Sequence, residues 1–185
     1  MTEKKAYNLF DLLLNFESKK RKIQKNYDVA KNVDSAICAE CGGACCKTCG
    51  CQFSPDDFKE VTFTFLKAEI EKGYISIDYV DREIIYSDCG YYILRMRNQN
   101  APIVDCGGRR TPCILLKEDG CKLSYEKRPT GGKLLIPSRV IDEFGIRNCE
   151  STYSIKDCCY EWKEHQTVLR ELVKYFRNKE IPCSL

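Results

Sequence analysis

The chain has 185 residues, 43% hydrophobic and 31% charged, with a formal net charge of +3. That length and mix suit a folded chain with a real core and exclude a disordered one. The charge is too mild to require a nucleic-acid partner, and no apolar run reaches the ~18 residues of a membrane helix.

The first seven residues lead into a charged amphipathic stretch rather than an apolar signal core, so a cytoplasmic protein is expected. Over residues 7–31, Leu9, Leu13, Phe16, Ile23 and Tyr27 recur at helical spacings. They make one apolar face, which would pack on the domain or on a protein partner. Lys19, Lys20, Arg21, Lys22 and Lys25 make a basic face, for which solvation is the simplest account and nucleic acid is not expected. The chain is expected to divide into an N-terminal amphipathic helix over 1–33 and a cysteine-cluster domain over 34–185.

Residues 38–51 concentrate the chemistry. Cys38, Cys41, Cys45, Cys46, Cys49 and Cys51 lie there with three glycines, and a loop is expected because tight turns around an ion need glycine's backbone freedom. Ser54-Pro55-Asp56-Asp57 reads as a helix start, with Thr62 as a second cap and Gly73 as the stop. The acids Asp56 and Asp57 suit capping better than metal ligation. Residues 74–80 and 91–97 alternate and are rich in β-branched and aromatic residues, which predicts strands. Cys113-Ile114-Leu115-Leu116 predicts a short strand, and the turn 117–120 brings Cys121 back beside it as a hairpin. Ser154 and Asp157 predict a capped helix carrying Ile155, Cys159, Trp162, Leu169, Leu172, Val173 and Phe176 to about Asn178. The fold class expected is α+β: a small, loop-rich, metal-stapled domain with short antiparallel strands, flanked by an N-terminal and a C-terminal helix.

The chain has 14 cysteines. In a reducing compartment such density points to metal binding rather than a disulfide scaffold. Thiolates favour zinc, copper(I) and iron–sulfur clusters, and structural zinc takes four ligands, often from Cys-x2-4-Cys pairs. Cys38-x2-Cys41 and Cys41-x3-Cys45 have that spacing, and Cys113 with Cys121 supplies a second arm. The adjacent pairs Cys45–Cys46 and Cys158–Cys159 point their side chains apart, roughly 100° on a helix. Such pairs serve two ions, or a cluster, better than one. Cys158 and Cys159 fall in a first helical turn, where the dipole favours thiolate. His165, the only histidine, reads as a packing or surface residue. Cys89, Cys106 and Cys183 stand alone and read as small buried hydrophobes.

Cys38-x2-Cys41-Gly42-Gly43-Ala44-Cys45-Cys46, the run from Cys113, and the segment from Gly120 through Cys121, Tyr125 and Arg128 to Pro129 resemble the YkgJ-type cysteine-cluster family. That family is described as a zinc- or iron-chelating domain, and the resemblance covers residues 38–137. It departs in two places. The spacer before the double cysteine is three residues where the family has two. After Arg-Pro the family usually carries cysteine and arginine, where this chain has Gly132 and Lys133. Cys149 or the Cys158–Cys159 pair is the expected replacement, and Cys49 and Cys51 are extra thiols beside the core. The resemblance implies a metal-binding protein with a largely structural thiolate centre, zinc with two ions being favoured. The alternative is iron or an iron–sulfur cluster in an enzyme or electron carrier. A related cysteine region in flagellin lysine methylases extends that alternative to protein modification.

Overall fold

The computed structural model describes residue 40 and residues 42–105, 111–118, 120–136, 138, 140 and 149–180. The helix expected over 7–31 lies outside these residues. In chain order come α1 (Ala44–Thr48), a 3-10 turn (Pro55–Asp57), α2 (Phe63–Glu71), β1 (Ile75–Val80), α3 (Arg82–Ile85), β2 (Tyr91–Met96) and β3 (Val104–Asp105). Then follow β4 (Leu116–Lys117), β5 (Gly120–Cys121), a 3-10 turn (Tyr125–Lys127), α4 (Thr130–Lys133), β6 (Leu135–Ile136), β7 (Glu150–Ser151), α5 (Ile155–Glu161), a 3-10 turn (Lys163–His165) and α6 (Gln166–Glu180). The fold is α+β with short strands. Among the described residues the strand pairings are antiparallel except that of β3, which joins β1 in parallel.

The alternating segments pair as their period demands. β1 and β2 run antiparallel from Ile75↔Met96 to Val80↔Tyr91, and the sheet order is β2-β1-β3. The free edge of β2 is covered by two devices. Residues 51–53 lie along it, with Met96 N donating to Cys51 O at 2.8 Å and Phe53 N donating to Leu94 O at 2.9 Å. Further along, the Gln166 side chain stands in for a strand. Its Oε1 accepts from Tyr92 N at 2.9 Å and its Nε2 donates to Tyr92 O at 2.8 Å. Covering an edge in this way removes a template for aggregation.

α2, α5 and α6 pack against this sheet. Leu66, Ile70, Ile77, Ile93, Leu94, Trp162, Leu169 and Leu172 have no exposure at all. Each such aliphatic side chain contributes about 1.5–3 kcal/mol through burial.

Local signals explain the helix ends. Ser54 and Asp57 form a reciprocal capping box, but it opens only a 3-10 turn. α2 starts later, with Thr62 Oγ1 accepting from Phe65 N. The C-terminal helix is also divided. Ser154 and Asp157 cap α5 as expected, and the chain then tightens through Lys163–His165 before α6. The break follows from what Trp162 and Gln166 must reach. The buried indole donates to Phe53 O at 2.8 Å, while Gln166 turns toward β2. An unbroken helix would keep the i→i−4 ladder but would present these two side chains in a different phase.

Candidate metal centre

The cysteine-rich loop is not all loop. Gly42 and Gly43 take positive φ of 60° and 72°, and α1 turns from Gly43 as its N-cap. This single turn replaces the irregular loop expected here, because two consecutive left-handed residues reverse the chain sharply enough to begin a helix. The reversal lays the segment on the β4–β5 hairpin. A Cβ on Gly43 would meet Leu116 Cδ1 at 2.6 Å, so the leucine side chain would have to turn aside, and the φ of +72° would itself be strained for any other residue.

Two further contacts tie this loop to the later cysteines. Cys113 N donates to Cys46 O at 2.7 Å. Cys113 is itself bridged to Asn98, so the strand expected over 113–116 is reduced to a bridge, a turn and β4. Asn98 is buried, and its Oδ1 accepts from Gly50 N at 2.8 Å. One asparagine therefore orders both cysteine segments. The sequence offered only a weak sign of it, a polar Asn-Gln-Asn run after a strand.

The hairpin forms as the turn predicts, but Leu116 and not Cys113 lies opposite Cys121, because Cys113 is bridged to Asn98. Cys121 Sγ accepts from Leu123 N at 3.4 Å, the kind of backbone contact that tunes sulfur at thiolate centres. The Arg128-Pro129 turn lies beside it, with Arg128 Nε donating to Leu123 O at 3.4 Å and Tyr125 OH donating to Lys133 O at 3.0 Å. Asp57 is fully engaged as a cap. It accepts from Ser54 N, Thr130 N and Thr130 Oγ1, so capping accounts for it without a metal.

The remaining candidates fall in different places. Cys51 lies against α4: a Cβ on Gly132 would sit 3.4 Å from Cys51 Sγ. Cys149 precedes β7, at the end of the β6–β7 ladder away from Gly132. The near end is marked by Thr152 N donating to Leu134 O. Cys46, Cys49, Cys51, Cys121 and Cys149 are half-buried, and Cys113 is buried. The placements of Cys38 and Cys41, and the side chain of Cys45, lie outside what is described.

Cys158 and Cys159 sit in the apolar core on α5, at 0% and 2% exposure. Cys158 Sγ donates to Phe53 O at 3.5 Å, and burial pushes its thiol well above the ordinary range. Burial, helped by the Asp78 carboxylate, pushes Cys159 up to about 11. Burial outweighs the helix dipole here, and both thiols pack in the core. Tyr153, raised chiefly by burial, donates to Glu161 Oε2 at 2.6 Å beside them. Asp78 and Arg95 form a buried ion pair at 2.8 Å between neighbouring strands. His165 stacks edge-on to Trp162 at 5.9 Å, as a packing residue should. Cys89 is exposed and not the buried hydrophobe expected, while Cys106 and Cys183 lie outside the described residues.

Among the described residues, no three His, Cys, Asp or Glu side chains gather closely enough to hold an ion. The described part of the candidate centre is thus a set of sulfur-bearing arms: α1, the Asn98–Cys113 bridge, the β4–β5 hairpin, and Cys51 against α4. The donor set is soft sulfur, which suits zinc or iron. No family model, curated protein or solved structure matches the chain.

Proposed function

We propose that the chain is a YkgJ-type cysteine-cluster protein whose thiolates bind zinc, as two ions with a largely structural role. Cys38, Cys41, Cys45 and Cys46 would provide the core ligands, Cys113 and Cys121 the second arm, and Cys49 or Cys51 the remainder. The observation that carries this reading is the 2.7 Å hydrogen bond from Cys113 N to Cys46 O. It joins segments 67 positions apart in sequence, both of which carry cysteine. Sulfur-rich segments held together in this way would repel or oxidise as bare thiolates, and an ion relieves both problems. Zinc bound there would neutralise thiolate charge and cross-link the loops. Thiolate-only sites are usually closed, which favours a structural role over catalysis. In a reducing compartment, cysteines at this density favour metal ligation over disulfide staples. A metal-ordered loop surface of this kind would present a rigid face to a protein partner.

Elemental analysis and visible spectroscopy of anaerobically purified protein test the proposal. Zinc without visible absorption is expected. Brown protein with charge-transfer bands would assign the centre to an iron–sulfur cluster instead. Cys45→Ser and Cys46→Ser should lose metal and solubility, whereas Cys183→Ser should lose neither. Equal metal content in all three variants would sink the assignment.

A further inference from the structure

On the side of the domain formed by α2, the 3-10 turn after Ser54 and the hairpin lies a cavity of about 470 Å³. Its size is within the ~300–1,000 Å³ of small-molecule sites. Phe53, Phe58, Phe65, Met96, Leu115 and Leu123 provide apolar walls. Most of them belong to the core cluster or pack against it, so the walls are held rigidly.

The charges at the mouth are unbalanced. Lys72 is paired with Glu69 at 2.6 Å, and Asp57 is occupied by Ser54 and Thr130. Lys59, Lys122 and Lys127 also line the cavity, and none has a side-chain ion pair or hydrogen bond among the described residues. An apolar interior under three uncommitted ammonium groups complements an amphiphile with one anionic end. Lysine ammonium is a compact point charge on a flexible stem, suited to a carboxylate that needs no fixed bidentate geometry. The volume of about 470 Å³ suits a single apolar chain better than a two-chain lipid.

We propose that this cleft binds a single-chain fatty carboxylate, with its hydrocarbon against Phe58, Phe65 and Leu123 and its head among Lys59, Lys122 and Lys127. The proposal rests on the lining of this cleft and not on bound metal, although Lys122 and Leu123 follow Cys121 on the hairpin.

Trp162 supplies a readout, because it is the only tryptophan and its ring lies 6.1 Å from Phe58 in an edge-on contact. The full-length protein, as purified, is titrated with dodecanoate, octanoate and dodecanol below their aggregation concentrations, following Trp162 fluorescence and heat. Dodecanoate should bind saturably at one site and at least tenfold more tightly than dodecanol. It should also bind more tightly than octanoate, because each buried methylene is worth up to roughly fourfold. In the K59A/K122A/K127A variant dodecanoate should weaken at least tenfold, with dodecanol unchanged and circular dichroism unaltered. Absence of saturable dodecanoate binding, equal affinity for dodecanol, or undiminished dodecanoate binding by the triple variant would each overturn the proposal.

Discussion

Cys51 Sγ stands 3.4 Å from where a Cβ on Gly132 would be placed. α4 is buried against residues 51–52 here, with Gly131 N donating to Gln52 O at 3.0 Å. The resemblance expects a sulfur at position 132. In this chain the neighbouring sulfur comes from the other side of the contact. Cys149, the other candidate replacement, lies at the far end of the β6–β7 ladder, and Cys158 and Cys159 are packed in the core.

The pair makes a reciprocal test. Cys51→Ala should weaken metal affinity by at least the roughly 10–100-fold that even supporting residues of a metal site contribute. Adding Gly132→Cys to that variant should restore much of the loss, because the sulfur returns to the same space from α4. Metal titration with a chromophoric chelator reads both. Unchanged affinity in Cys51→Ala would make Cys51 a packing residue.

Thiol reactivity should separate the cysteines by environment. Cys89 is exposed and should alkylate rapidly in the native protein, whereas Cys158 and Cys159 should react only on unfolding. Their raised pKa values reinforce this protection, since thiolate is the reactive form. Timed iodoacetamide labelling with peptide mass spectrometry checks it. Cys159→Ser should leave metal content unchanged and cost about 1–3 kcal/mol by placing a hydroxyl in the core.

Gly50 and Gly73 should respond differently to alanine. A Cβ on Gly50 would lie 2.0 Å from Met96 O, so the loop would have to leave the β2 edge. Gly50→Ala should therefore cost about 2–4 kcal/mol. At Gly73, where φ is +87° and nothing lies within 4 Å, only backbone strain remains, about 1 kcal/mol. Urea denaturation curves give both values.

The Lys67–Glu71–Lys179 cluster joins α2 to α6. Glu71 accepts from Lys67 at 2.8 Å and from Lys179 at 3.1 Å, and these contacts hold its carboxyl below the ordinary range. A carboxyl depressed in the folded state stabilises above its unfolded pKa of about 4.3, and that contribution fades as pH falls through the lower folded value. Wild type should thus lose its advantage over Glu71→Gln between about pH 4.3 and the lower folded-state value, and lose it also in high salt. Thermal melts of both proteins across pH 3–7 test this; an advantage unchanged with pH would contradict it.

Local chemistry made several elements readable in advance. The alternation of residues 74–80 and 91–97 and the Ser154–Asp157 cap are short-range signals, and the strands and α5 follow them. The division of the C-terminal helix was not readable. The interruption depends on Phe53 O and the Tyr92 backbone, which lie about a hundred and about seventy residues away in sequence. The one-turn helix inside the cysteine loop was missed for a related reason. Glycine's backbone freedom suits a loop, whereas its left-handed geometry at residues 42 and 43 starts α1 against the hairpin.

For the candidate centre, composition and spacing by themselves named the sulfur-bearing segments and pointed to the soft-metal chemistry proposed for them, because ligand type is a property of side chains. Only the tertiary structure placed Cys113 on Cys46, brought Cys51 against Gly132, and put Cys158 and Cys159 in the core. Sequence spacing measures distance along the chain, whereas burial and sulfur neighbours depend on which distant backbone the sheet edge recruits.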